Sequence, residues 1–226
     1  MSSMLIAYLL GSINFAVIIT RFVEKGKDIR DMGSGNAGFT NVLRSVGKGP
    51  AVFTILFDFI KGILAVFIAG LIFTTVTHSN EVELSEYIAY GKYLAGLCCI
   101  IGHMYPVFFG FKGGKGVVTA AALMLVEDWR VFLLIITTFL IVFLITKIIS
   151  ISSIICGILY CIYTFAVTYY FDFLPSQSQA VSHSFTYVIA ASLFAFGIGM
   201  FVIVKHKENI KRILKGEEKK ITAKKS

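Results

Sequence analysis

The chain has 226 residues, 57% of them hydrophobic and only 15% charged, with 21 Phe and 3 Pro, and a mean hydropathy of +0.82. Soluble domains carry roughly 25% charged residues, and repeated apolar runs of about 20 residues predict instead an all-α polytopic membrane protein. The net charge of +8 does not point to nucleic acid. Nine of the 21 Lys and Arg lie from Lys205 onward, beside an apolar run, and no recognition module accompanies them.

In chain order, the first apolar run covers about 4–22 and is interrupted midway by Gly11, Ser12 and Asn14. No Lys or Arg precedes it and no small-residue cleavage site follows, so a removable signal peptide is not expected. A polar segment at 24–49 follows, then apolar runs at about 51–76 and 87–109, and a short apolar piece at 117–126. Ten residues rise only about 15 Å as a helix against about 30 Å of hydrocarbon. The short piece is therefore either completed by its flanks or re-entrant. Further runs cover about 131–149, 151–173 and 185–204.

Basic residues set the expected orientation. The stretches 24–49, 110–116 and 205–226 hold five, two and nine Lys or Arg, whereas 78–86, 127–130 and 172–183 hold none, one and none. The positive-inside rule then gives about seven transmembrane helices, one of them short, with the amino end outside and the carboxyl end cytoplasmic. Five spans with two re-entrant pieces is the alternative. Residues 1–226 read as a single integral membrane domain with a basic cytoplasmic tail from about 205.

Three polar clusters stand out against this apolar background. Residues 33–44 hold three glycines, Ser34, Asn36, Thr40, Asn41 and Arg44, the makings of a backbone nest closed by a cationic fork suited to phosphate. Lys112-Gly113-Gly114-Lys115-Gly116 directly precedes the short apolar piece, and the start of a helix favours anions. This is not a nucleotide P-loop, because Phe109 and Gly116 stand where that motif needs Gly and Ser or Thr. His206, Asn209 and Arg212 are spaced three apart, on one face of a helix taken to continue the last run.

Asp58 and Lys61 lie three apart within an apolar run, and an ionisable pair there marks function or its support. Ser150, Ser152 and Ser153 either cap a helix start or bind phosphate, and sequence does not choose. His103 suits a structural hydrogen bond or a site role; His78 and His183 fall in the outer connections and suit neither. The four cysteines (Cys98, Cys99, Cys156, Cys161) sit inside apolar runs and read as small hydrophobes, not as a zinc site or disulfide framework. No metal or cofactor is implied. A His-x-x-x-x-Asp dyad, a GxSxG elbow and an HExxH helix are all absent from the sequence.

With those residues laid out, the chain resembles the bacterial membrane-embedded acyl-phosphate:glycerol-3-phosphate acyltransferases. The likeness rests on YLLGSI at 8–13, GKDIRDMGSGNAGFTNVLRSVGKG at 26–49, Asp58-x-x-Lys61-Gly62, GHMYPVFFGFKGGKGVVTA at 102–120, and HKENIKRILKGEEK at 206–219. Asn14 stands where the family usually has Pro, Phe39 where it has a small residue, and Lys147 where it has Arg. The resemblance implies acyl transfer from acyl phosphate to the 1-hydroxyl of glycerol 3-phosphate, giving lysophosphatidic acid and phosphate at a membrane-lipid boundary. It assigns Arg44, Lys112, Lys115 and Ser150 to phosphate binding, with Gly113 and Gly114 between the lysines. Ser34, Asn36, Asn41, His206 and Asn209 would orient the reacting groups, and Asp58, Lys61 and Glu218 would support them. A transporter or channel for phosphorylated metabolites is the rival reading. It shares the basic inner face but lacks inverted repeats.

Overall fold

The computed structural model describes residues 2–75, 81–175 and 183–221, and all regular structure among them is helical. The apolar runs become α1 (Ser2–Ser12), α2 (Phe15–Val23), α4 (Lys48–Phe73), α5 (Glu81–Met104), α7 (Trp129–Thr146), α8 (Ile149–Val167) and α9 (Phe185–Lys205). Three shorter helices accompany them: α3 (Phe39–Ser45), α6 (Val117–Glu127) and α10 (Lys207–Leu214). Among the described residues six segments are long and apolar enough to cross a membrane, and α6 is a further, shorter apolar helix. The chain is an all-α, multi-pass integral membrane protein, as expected. His78 lies outside the described residues.

Two compact units divide the chain, Met1–Glu127 and Asp128–Ser226. In the first, α1 packs along α5 and α4, and α4 packs on α5 and α6. Lipid tails are as apolar as leucine, so helices associate there through close contact of small residues. The core of this unit accordingly contains Ala7, Ala65, Ala69, Ala95 and Cys99. Gly11 faces the Cys99 carbonyl and Gly102 the Tyr8 carbonyl so closely that a Cβ on either would collide with backbone.

The first apolar run is not one helix. It breaks between α1 and α2, where the Asn14 side chain accepts the Val17 N–H at 3.1 Å. The break leaves the Ile13 carbonyl without a helical partner, and the Lys61 ammonium donates to it at 2.7 Å. A backbone group freed at membrane depth has to be answered from another element. Here α4 answers it.

In the second unit α8 packs between α7 and α9. The Asp128 carboxylate caps α7 by accepting the Arg130 N–H, and Arg130 in turn donates to Asp172 at 2.9 Å, tying the start of α7 to the end of the following span. That span finishes in a π-helical turn, Thr168–Phe173. The last run does not continue straight into the tail: it ends at Lys205, and α10 starts at Lys207 on the far side of a break at His206.

Candidate active site

In the first unit two polar loops carry the candidate residues. The loop between α2 and α3 contains Asp28, whose carboxylate caps a 3-10 turn by accepting the Arg30 N–H at 3.0 Å. The same carboxylate takes Nε and Nη2 of Arg30, and Nη2 of Arg21, at 2.8–2.9 Å. Hydrogen bonding from Arg30 holds the Asp28 carboxyl far below the usual carboxylate range, and Asp28 raises Arg30 in return. The remaining guanidinium nitrogen, Nη1, donates to the Phe109 carbonyl at 2.6 Å. Arg30 therefore ties this loop to the one that leads into Lys112.

Asn41 builds the rest of the first loop. Its Oδ1 accepts the Ser34 N–H at 3.0 Å and the Ser45 hydroxyl at 3.3 Å. Its Nδ2 donates to the Ile29 and Met32 carbonyls at 3.0 and 2.9 Å. All four bonding positions of the amide are occupied, three by the loop and one by Ser45 at the end of α3, so Asn41 shapes the turn that presents Ser34. Gly33 has φ +54°, and a Cβ there would strike Asn41 Oδ1 and Ser45 Oγ. Ser34 and Arg44 are exposed and Asn36 is half-buried.

The second loop leaves α5 through Pro106 and a 3-10 turn at Val107–Phe109. Gly110 and Phe111 both take left-handed backbone, with φ of 63° and 59°, and a bulky residue there signals a constrained turn. Lys112 is exposed and Lys115 half-buried, while Gly114 is buried between them. The Gly114 N–H donates to the His103 carbonyl at 3.1 Å. A Cβ on Gly114 would meet His103 Nε2 and the Ala37 carbonyl, so both loops close on this glycine. A cavity of about 620 Å³ opens along them, lined by Arg21, Arg30, Lys112 and Gly113 among others.

Beneath the loops lies a buried polar set. Lys61 Nζ is 2.7 Å from Asp58 Oδ1, 2.7 Å from the Ile13 carbonyl and 3.0 Å from His103 Nδ1. Asp58, Lys61 and His103 are all below 5% exposed. Opposite charges this deep persist only with complete pairing. Asp58 and Lys61 thus hold His103, at the end of α5.

The second unit holds the other set. The His206 side chain is buried, and its Nδ1 lies 2.7 Å from the Val202 carbonyl. A carbonyl only accepts, so Nδ1 carries the proton, and in the neutral ring Nε2 is left as an acceptor. Past α10 the chain turns at Gly216 (φ +71°) and returns, with the Ile221 N–H on the Lys147 carbonyl at 2.8 Å. That return carries Glu218 to the start of α8. Its Oε1 accepts the Ser150 hydroxyl at 2.5 Å and Asn209 Nδ2 at 2.7 Å, and its Oε2 accepts Arg212 Nε at 2.7 Å. Burial pushes the Glu218 carboxyl up, but these three donors outweigh it and the group ends below its ordinary value. Ser152 and Ser153 donate instead to the carbonyls four residues before them. No serine caps α8, whose N-cap position is Ile148.

The predicted residues thus form two sets, one in each unit. Ser34, Asn36, Asn41, Arg44, Asp58, Lys61 and Lys112 to Lys115 belong to the first; Ser150, His206, Asn209 and Glu218 belong to the second. Sequence reasoning gave Arg30 and Asn14 no role. An Asp two residues before an Arg at a turn was the available signal for Arg30.

A family model described as glycerol-3-phosphate acyltransferase matches residues 1–216. A glycerol-3-phosphate acyltransferase from Nostoc sp. (strain PCC 7120) is 37% identical over 221 residues, covering 96% of this chain and 89% of that one. One from Francisella tularensis subsp. novicida is 36% identical, covering 97% and 92%. The crystal structures of PlsY (YgiH), an integral membrane glycerol 3-phosphate acyltransferase, in its glycerol 3-phosphate and lysophosphatidic acid forms, match with a TM-score of 0.75 and 33% identity. They cover 98% of this chain and 94% of theirs. Together with the helical membrane architecture, these matches mean that the chain belongs to the glycerol-3-phosphate acyltransferase family.

Proposed function

We propose that this protein transfers a fatty acyl group from acyl phosphate to the 1-hydroxyl of glycerol 3-phosphate. The products are lysophosphatidic acid and inorganic phosphate. An acyl phosphate is a mixed anhydride, already activated, so the reaction needs neither ATP nor a covalent acyl-enzyme. The hydroxyl oxygen adds to the acyl carbon, the carbon–oxygen bond to phosphate breaks, and the departing phosphate takes the hydroxyl proton. Catalysis then rests on positioning and on stabilising negative charge. The observation that carries this reading is the pair of cation-bearing loops in the first unit, latched by Arg30 on the Phe109 carbonyl and closed on Gly114.

In this proposal Arg44, Lys112, Lys115 and Ser150 bind phosphate, with the Gly113–Gly114 backbone approaching it closely. Ser34, Asn36, His206 and Asn209 orient the reacting groups. Asn41, Asp58, Lys61 and Glu218 hold them in place. His206 offers Nε2 as a hydrogen-bond acceptor for the attacking hydroxyl. The chain acts as one acyltransferase domain in the bacterial plasma membrane, amino end outside, with its basic stretches and its chemistry on the cytoplasmic side. The distribution of Lys and Arg supports that side.

The test is an assay of purified, detergent-solubilised protein with glycerol 3-phosphate and, in turn, acyl phosphate, acyl-coenzyme A and an acyl-carrier thioester. Lysophosphatidic acid is expected from acyl phosphate alone. Product from a thioester and none from acyl phosphate would overturn the assignment of the donor.

A further inference from the structure

His103 has no role in the reading above, yet it meets both the buried Asp58–Lys61 pair and the glycine on which the two loops close. It sits in the last turn of α5, 4% exposed. Its carbonyl accepts the Gly114 N–H at 3.1 Å. One edge of its ring, Nδ1, lies 3.0 Å from Lys61 Nζ and 3.6 Å from Asp58 Oδ1. The other edge, Nε2, packs against Gly114 beside the Ala37 carbonyl, where the Gly33–Gly38 loop meets the Lys112–Gly116 loop.

The donors of Lys61 fix the tautomer. An ammonium has three N–H groups and no lone pair. Lys61 donates to the Ile13 carbonyl at 2.7 Å, forms an ion pair with Asp58 Oδ1 at 2.7 Å, and lies within hydrogen-bond distance of His103 Nδ1 at 3.0 Å. It can meet Nδ1 at 3.0 Å only by donating to it, and an accepting Nδ1 places the ring proton on Nε2. A buried histidine is commonly set in this way by the bond its other nitrogen makes.

We propose that His103 is a positioning residue: Lys61, anchored by Asp58 and Ile13, holds its ring as the Nε2–H tautomer, and that polar edge seats the joint between the two phosphate-binding loops. This rests on the proposed acyltransferase reading for its kinetic readout. It explains why an Asp–Lys pair lies at membrane depth beneath loops that it does not itself touch. It also gives Gly114 a reason beyond phosphate approach, since any side chain there would displace the imidazole.

Two substitutions separate this role from mere burial of a polar group. The amide of Asn reaches the Nδ1 position and stops there, so His103→Asn keeps an acceptor for Lys61 and loses the edge facing Gly114. The amide of Gln reaches the Nε2 position, so His103→Gln keeps a donor at the loops and loses the acceptor for Lys61. With thermal stability measured for each, His103→Gln is expected to keep a near-wild-type KM for glycerol 3-phosphate. His103→Asn is expected to raise it about five- to tenfold, the equivalent of one hydrogen bond. Equal effects, no effect, or the reverse order would overturn the proposal. Nitrogen-15 spectra of histidine-labelled protein, assigned by difference against His103→Gln, supply a readout that needs no turnover. A pyridine-like Nδ1 and a pyrrole-like Nε2 are expected, and a protonated Nδ1 would overturn the assignment. Wild-type protein that makes no product from acyl phosphate would refute the function proposed above and leave the spectra to decide the tautomer.

Discussion

Replacing Glu218 by Gln separates the anchoring role of this carboxylate from its charge. In the native structure Oε1 receives the Ser150 hydroxyl and the Asn209 amide, and Oε2 receives Arg212. A hydrogen bond to a charged group contributes about 1.5–3 kcal/mol. In Glu218→Gln one oxygen still accepts from Ser150 and Asn209, and the new NH2 group faces the Arg212 donor. Arg212 is 40% exposed, so it turns to water and the loss falls near the low end, about 1.5–2 kcal/mol. Glu218→Ala removes all three bonds and frees the two residues proposed to contact substrate. If Glu218 acts only by anchoring them, Gln costs kcat/KM about thirtyfold at most, and Ala costs about 10²-fold or more. Steady-state kinetics of the two purified variants measures both. Equal damage in Gln and Ala would show that the negative charge, not the anchorage, is what matters.

Glu218 also sets a pH dependence. Its folded-state pKa lies below its unfolded value, so the native state binds its proton less readily than the unfolded chain. The stabilisation is then fully present above the ordinary glutamate pKa of about 4.3 and fades as pH falls through the lower folded value. The difference in Tm between wild type and Glu218→Gln should hold steady at neutral pH and shrink below about 4.3.

Gly33→Ala forces a Cβ into left-handed backbone against Asn41 and Ser45, costing at least about 1–2 kcal/mol and lowering Tm; an unchanged Tm and glycerol 3-phosphate KM would refute the loop's shape. For His206, Gln keeps polar reach, so His206→Gln should retain more activity than His206→Ala and keep the acidic limb of the pH–rate profile. If Gln and Ala are equally inactive, or that limb vanishes, the imidazole itself takes the proton, a step usually worth about 10²- to 10⁴-fold. Single cysteines at Ser45 and Ser79, in a background without the native four, should label from opposite sides of the membrane, Ser79 from outside. Labelling of both from one side would refute the seven-span arrangement, because one span must separate them.

The helices were legible because lipid leaves so few choices: a long apolar run must become a helix to satisfy its own backbone. Positions 51–76 and 185–204 read as runs and became α4 and α9 with ends shifted by a few residues. What stayed hidden was settled between distant parts of the chain. The break at Asn14 interrupts an otherwise apolar stretch, and it holds because Lys61 answers Ile13 across 48 positions. Glu218 meets Ser150 across 68 positions, a contact that no local periodicity encodes. Asn41 read as a residue that orients the reacting groups because sequence reports an amide but not its partners, and its four bonds go to the loop and to Ser45 of α3. The tail read as a continuing helix because His206, Asn209 and Arg212 keep helical spacing through a break that only backbone angles reveal.

The most direct test of acyl transfer by this chain is product stoichiometry in detergent, where no sealed compartment exists for a transporter to serve. Purified protein, acyl phosphate and glycerol 3-phosphate, without ATP, should yield lysophosphatidic acid and inorganic phosphate in equal amounts. Phosphate release without lysophosphatidic acid, or movement of glycerol 3-phosphate only in sealed vesicles with no lipid product, would contradict it.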